Sequence, residues 1–228
     1  MNIAKPYAKL MPPVPSFGVD EFTLDHGIAL LQRIEWCARI SHRSEEAATA
    51  VSYDRFLRSV VLQHGDWSVV EHASVSVDML VDRGITHEIV RHRLFGFTQE
   101  STRFVNYEKK MPASFIDALG PTSGQRQARI WETAIVHAEE AYKGLIREGV
   151  APQLARSVFP NALASRIIIT GNLRNWRHFL LMRTTKEAHP QMREVTIPLL
   201  AEFKEKIPIF YEDIEPEAKQ ADNLKKGR

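Results

Sequence analysis

The sequence predicts an α+β fold with few strands and several long helices, and three patterns carry that expectation. Residues 73–81 alternate, with Ala73, Val75, Val77, Met79 and Val81 set against Ser74, Ser76 and Asp78. Period two is the signature of a half-buried strand. The run Arg166-Ile167-Ile168-Ile169-Thr170 is rich in β-branched residues and reads as a second, buried strand. Other stretches space their apolar residues three and four apart, as helices packed on one face do.

Taken in order, residues 1–20 hold Pro6, Pro12, Pro13 and Pro15 and read as an extended leader. Leu24 to Ile40 carries Ile28, Leu31, Ile34 and Cys37 at helical spacing. Ser52 suits the N-cap of a second helix with Phe56, Leu57, Val60 and Val61 inward, and Gly65 ends it. After the first strand, Thr86 is placed to cap a short helix leading into Arg91. Residues 109–124, with Pro112, Gly120, Pro121 and Gly124, form loops. A long helix follows from Gln125 to Glu148, with Ile130, Ala134, Ile135, Ala138 and Leu145 inward. Pro152 suits the first turn of a short helix ending near Val158. Asn172 to Arg183 is helical, with Leu173, Trp176, Phe179 and Leu180 on one face. The last helix spans Glu187 to Lys206, kinked or broken at Pro190 or Pro198. With no repeat and no linker, residues 1–213 read as one catalytic domain, and 214–228 as a charged, disordered tail.

Composition excludes several classes. The chain has 228 residues, 44% hydrophobic and 25% charged, as soluble globular proteins do. A net charge of +2 without clustering gives no basis for a nucleic-acid or membrane partner. No apolar run reaches transmembrane length, and the N-terminus lacks a secretory h-region. One cysteine excludes a disulfide framework and fits a cytoplasmic setting. Ile34, Cys37 and Ile40 share a helix face, so Cys37 reads as packing rather than as a thiolate nucleophile. No metal is expected. His87-Glu88 and His92 carry one residue too many for a zinc helix, since residues five apart lie about 140° apart around a helix. No glycine-rich phosphate loop is present, so a bound nucleotide must be held by Arg, Ser and backbone groups.

One cluster stands out chemically. Arg91-His92-Arg93 is followed, seven residues on, by Ser101-Thr102-Arg103. Arg binds anions bidentately and His changes state near neutral pH, so such a group suits a phosphate or an electron-rich heterocycle. RHRLFGFTQES resembles the RHR-x7-S signature of flavin-dependent thymidylate synthases. HGDWSVVEHASVSV is similar to the family's first flavin-contacting segment, and ARSVFPNALASRIIITGNLRNWRHFLLMR to its nucleotide and flavin segments. The matching blocks run in family order from about Cys37 to Val195.

The resemblance implies a small, mostly antiparallel sheet flanked by long helices in a compact domain. It implies FAD bound without a Rossmann fold, NADPH as reductant, methylenetetrahydrofolate as carbon donor and dUMP as substrate. It also implies a homotetramer with shared active sites. The flavin positions it implies are Ser41, Ser68, Glu71, Arg91, His92, Arg93, Leu94, Asn172, Arg174, His178, Met182 and Glu187. The nucleotide positions are Glu88, Gln99, Ser101, Thr102, Arg103, Arg156 and Arg183, with Ser101, Arg103 and Arg183 nearest the chemistry. Gln99 offers both donor and acceptor to a pyrimidine edge. Ser101 has no His or Asp arranged beside it in sequence and reads as a positioning hydroxyl. Four positions depart from the family pattern. Asp66 stands for a His, Phe104 for a Tyr, Glu187 for a His and Gln191 for a carboxylate. These leave two alternatives open: a C5-modifying enzyme for another pyrimidine nucleotide, such as a dCMP hydroxymethylase, and a non-catalytic flavin- or nucleotide-binding homologue.

Overall fold

A computed structural model of the chain describes residues 1–13, 21–109, 112–120 and 123–216. Helices and a small sheet are present, as expected. A four-stranded sheet has the order β2 (Tyr7–Leu10), β3 (Ser74–Asp82), β6 (Ala164–Asn172), β4 (Gly96–Gln99). A two-stranded parallel pair joins β1 (Asn2–Ile3) to β5 (Ser114–Phe115). The central pair is antiparallel: Leu173 N–H donates to Ala73 O at 3.0 Å, and Arg83 N–H to Leu163 O at 3.1 Å. β6 is not buried on both faces. Ile167 and Ile169 are inside while Arg166 and Thr170 are exposed, so its β-branched run belongs to an alternating strand.

The helices are α1 (Leu24–Arg39), α2 (Tyr53–Leu57), α3 (Arg83–Ile89), α4 (Gln125–Arg147), α5 (Pro152–Ala155), α6 (Leu173–Arg183) and α7 (Pro190–Lys206). Several caps differ from expectation. Ser52 makes no side-chain cap at α2; its hydroxyl donates instead to the Glu35 carboxylate at 2.7 Å. The helix continues past α2 in π-helical form over Arg58–Gln63, and Gly65 follows at φ 85°. Asp82, not Thr86, caps α3, its carboxylate accepting from Ile85 N–H at 2.7 Å. Thr86 is fully buried inside that helix. On α4, Ile130 is 63% exposed and Ala134 is exposed. Ile135 is buried as expected, and Glu139 and Tyr142 complete the buried stripe. In α7, Pro190 takes the first helical position and Pro198 lies inside an unbroken helix. Pro198 and Glu194 are both exposed, so water can satisfy the carbonyl that proline leaves without a donor.

The chain divides into two compact units, and four of the five boundaries fall within strands. The first comprises Met1–Tyr7, Met79–Arg91 and Phe97–Ile168, and the second Ala8–Asp78, His92–Gly96 and the chain from Ile169 on. The first unit's core gathers Tyr107, Phe115, Ile135, Tyr142, Ala155 and Leu163, with Phe159 stacked on Tyr142 at 4.4 Å. The second unit buries Leu31, Ile34, Leu57, Trp176, Phe179, Leu199 and Phe203. There Gly27 permits a close approach that no other residue could: a Cβ would stand 1.6 Å from the Lys206 carbonyl oxygen. Order extends past residue 213. Ile214 is buried and Glu215 pairs with Lys204 at 3.0 Å, while 217–228 lie outside the described residues. Among the described residues, no helix is long and apolar enough to cross a membrane.

Candidate functional site

All the flavin-type positions except Arg91 fall in the second unit, and all the nucleotide-type positions except Arg183 fall in the first. In the second unit, α6 is the organising element. Asn172 caps it, its carbonyl accepting from Asn175 N–H at 2.8 Å, so this side chain is committed to the helix start. Asn175 in turn donates to Leu94 O at 3.2 Å and fixes the loop that carries His92, Arg93 and Leu94. The Phe95 ring of that loop fills a notch over Gly171. It meets Trp176 edge to face at 4.8 Å between centroids.

His92 sits in the same pocket of rings, 4.9 Å from Phe179 and 6.3 Å from His178. Arg183 Nε–H donates to its Nε2 at 3.0 Å. A guanidinium can only donate, so Nε2 holds a lone pair and the proton of the neutral ring lies on Nδ1. Burial, then the Arg183 and His178 charges, lower the His92 pKa to about 4. A depressed histidine pKa favours the folded state above about pH 6.5, and that contribution is lost as pH falls toward 4. An NMR titration of the His92 ring should therefore give a midpoint near 4. Arg183→Met should raise it toward the ordinary 6.5. An unmoved midpoint would show that the guanidinium contributes nothing.

Other flavin-type positions are exposed. Arg174 pairs with Glu71 at 2.6 Å, both about half exposed. Leu94 is 79% exposed and Met182 47%. Arg93, Ser68 and His178 are exposed. The Ser41 hydroxyl donates to Ala38 O at 2.9 Å, as a helix-end residue does. Glu187 is exposed and lies 3.9 Å from the Lys186 ammonium.

In the first unit, a cleft of about 420 Å³ is lined in part by Arg83, His87, Thr102, Gln153, Arg156 and Asn161. Buried Thr102 accepts a hydrogen bond from Arg156 at 2.8 Å, and Gln153 O accepts a second at 3.2 Å. Arg156 is thereby aimed rather than mobile. Two guanidiniums and an imidazole on one cleft have the chemistry to hold an anion. Arg83 and His87 were missed from sequence; their one signal is spacing, since residues four apart on α3 share a face. Glu88, the next residue on α3, is half-buried.

Gln99 lies near Thr86 and Ser165, its amide nitrogen 3.0 Å from each hydroxyl. The Ser101 hydroxyl accepts from Arg103 N–H at 3.3 Å, and its carbonyl accepts from Phe104 and Val105 N–H. Arg103 is exposed, its guanidinium 5.5 Å from the centre of the Phe104 ring, which is 75% exposed. Nearby, buried Tyr107 donates to Glu100 at 2.6 Å; burial and that carboxylate push its phenol well above the usual range. Among the described residues, no three His, Cys, Asp or Glu side chains come together to hold a metal ion.

The family described as "Thymidylate synthase complementing protein" matches residues 27–209. A "Flavin-dependent thymidylate synthase" of Corynebacterium efficiens is 34% identical over 188 residues, 75% of this chain and 72% of the relative. One of Mycobacterium avium is 32% identical over 228 residues, 90% of this chain and 86% of the relative. The solved structure of a UMP/dUMP methylase from Streptomyces cacaoi, bound with 5-Br dUMP, has a TM-score of 0.73. At 23% identity, covering 93% of this chain and 96% of that one, it supports the fold alone.

Proposed function

The chain belongs to the thymidylate synthase complementing protein family, and from that premise we propose that it is a flavin-dependent thymidylate synthase making dTMP from dUMP. The observation that carries the reading is that the family match, residues 27–209, contains every candidate site residue. The residues also fit the cofactor. Arg93 and Arg174 suit the pyrophosphate of FAD. Exposed Leu94 and Met182 offer apolar surface to a planar ring. Held by these residues, FAD would supply hydride chemistry at C5, with NADPH as its reductant. Methylenetetrahydrofolate supplies the carbon, and the C5 proton leaves.

The chain's own groups do the rest. Arg83 and Arg156 bind the phosphate dianion, with Thr102 and Gln153 holding Arg156 in aim. Arg103 stabilises negative charge as it develops on the pyrimidine. Neutral His92 keeps the Arg183 guanidinium turned by accepting from its Nε. The Ser101 hydroxyl positions the turn that carries Arg103. The protein works in the cytoplasm as a homotetramer whose sites are shared between subunits. That would give exposed Leu94 and Phe104 a partner surface to meet.

Incubation of the purified protein with dUMP, NADPH and methylenetetrahydrofolate should give dTMP, dependent on added or retained FAD. A protein that takes up no flavin overturns the reading. A flavoprotein that leaves dUMP untouched but forms a C5-hydroxymethyl product from dCMP replaces it.

A further inference from the structure

The hydrogen bonds around Gln99 decide which way its amide faces. Thr86 Oγ1 lies 2.9 Å from the Arg83 carbonyl oxygen. A carbonyl can only accept, so the single hydroxyl proton of Thr86 is spent there. Toward Gln99, 3.0 Å away, Thr86 can then offer only a lone pair. The atom of Gln99 that faces it must be the donor nitrogen. The second N–H of the same nitrogen reaches Ser165 Oγ, also at 3.0 Å. Thr86 and Ser165 are 0% and 1% exposed, so water does not compete for these bonds. Flipping the amide would set Oε1 against a lone pair in a buried place, which is unfavourable. Both donor hydrogens of Gln99 are therefore used inside the protein. Its carbonyl oxygen is turned away from the pair and meets no donor among the described residues.

We propose that Gln99 is a fixed, acceptor-only reader of a hydrogen-bond donor on the nucleotide, and that Thr86 and Ser165 are the positioning residues that fix it. The proposal rests on the reading of Gln99 as a nucleotide-binding residue. The donor it reads is an N–H or O–H. A deoxyuridine nucleotide carries two that fit: the imino N3–H of uracil and the 3′-hydroxyl of the sugar. Cytosine has no N3–H, only a lone pair, and an acceptor aimed at N3 rejects it. A dideoxy sugar lacks the hydroxyl.

The test measures dissociation constants by calorimetry on the FAD-loaded protein for dUMP, dCMP and 2′,3′-dideoxyuridine monophosphate. Gln99→Ala examines the underlying reading alone. Unchanged dUMP affinity in that variant removes Gln99 from the site and the proposal with it. If Gln99→Ala weakens dUMP, Thr86→Val examines the lock, since valine keeps the shape and deletes the hydroxyl. The preference for dUMP over one of the two analogues should shrink by roughly 5- to 10-fold, the scale of one neutral hydrogen bond. Loss of preference against dCMP identifies the imino group, and loss against the dideoxy nucleotide identifies the 3′-hydroxyl. Thr86→Ser should restore the wild-type preference. Ser165→Ala should reproduce the loss, and it decides the matter if Thr86→Val does not fold. Unchanged preferences in the folded lock variants, with Gln99→Ala still weakened, overturn the proposal while leaving the nucleotide reading intact.

Discussion

Arg103→Ala should nearly abolish release of tritium from C5-labelled dUMP, lowering it roughly 100- to 1,000-fold, the usual cost of removing one electrostatic stabiliser. Ser101→Ala should lower it only about tenfold or less, the scale of one neutral hydrogen bond. The difference follows from what each group touches. Arg103 is exposed, and its guanidinium meets the face of Phe104 at 5.5 Å, leaving its donors for a ligand. The Ser101 hydroxyl accepts from the Arg103 main chain at 3.3 Å, and no imidazole or carboxylate lies against it among the described residues. A serine nucleophile needs such a base. The order of the two effects is the informative result. A dead Ser101→Ala beside an active Arg103→Ala would favour covalent attack by the serine over flavin-hydride chemistry.

The parts of this site that were legible in the sequence are those contiguous along it. Arg91-His92-Arg93 and Ser101-Thr102-Arg103 could be read because their spacing is itself the pattern. β3 was legible because Ser74, Ser76 and Asp78 alternate with apolar residues; the burial itself alternates only over Ser74–Val77, since Asp78 and Asp82 are buried as well. β1, β2, β4 and β5 are two to four residues long, too short to show any period. Asp82 and Thr86 are both competent caps, and only the burial of Thr86 inside α3 separates them. Arg83 and His87 could not be found without knowing which face of α3 meets the cleft. The state of the Gln99 amide depends on Ser165, 66 positions away, and on where one hydroxyl proton of Thr86 goes. Sequence spacing carries chemical identity well, but it does not carry the direction of a donor.

Gly171→Ala should disturb both stability and flavin binding, because the space its Cβ would need is occupied. On the native backbone that atom would lie 2.4 Å from two carbons of the Phe95 ring. The ring cannot retreat inward. Trp176, 4.8 Å away, and Phe179, 6.0 Å away, are themselves 0% and 1% exposed. Phe95 must move outward or the strand must shift. Overpacking of this kind costs about 1–3 kcal/mol. For a chain of this size, that corresponds to a fall in Tm of roughly 2–4 °C per kcal/mol. The loop moves with its ring, and His92 and Leu94 lie in the same five-residue segment, His92–Gly96. The 3.0 Å bond from Arg183 to His92 should lengthen, and FAD affinity should fall with it. Calorimetry and flavin titration measure the two effects. The double variant Gly171→Ala/Phe95→Leu should recover most of the Tm lost in Gly171→Ala, because a shorter side chain vacates the notch. Residues in contact show coupling of about 0.5–3 kcal/mol in such a cycle. A Gly171→Ala protein with wild-type Tm and wild-type FAD affinity would show that the notch does not set the position of the His92 loop.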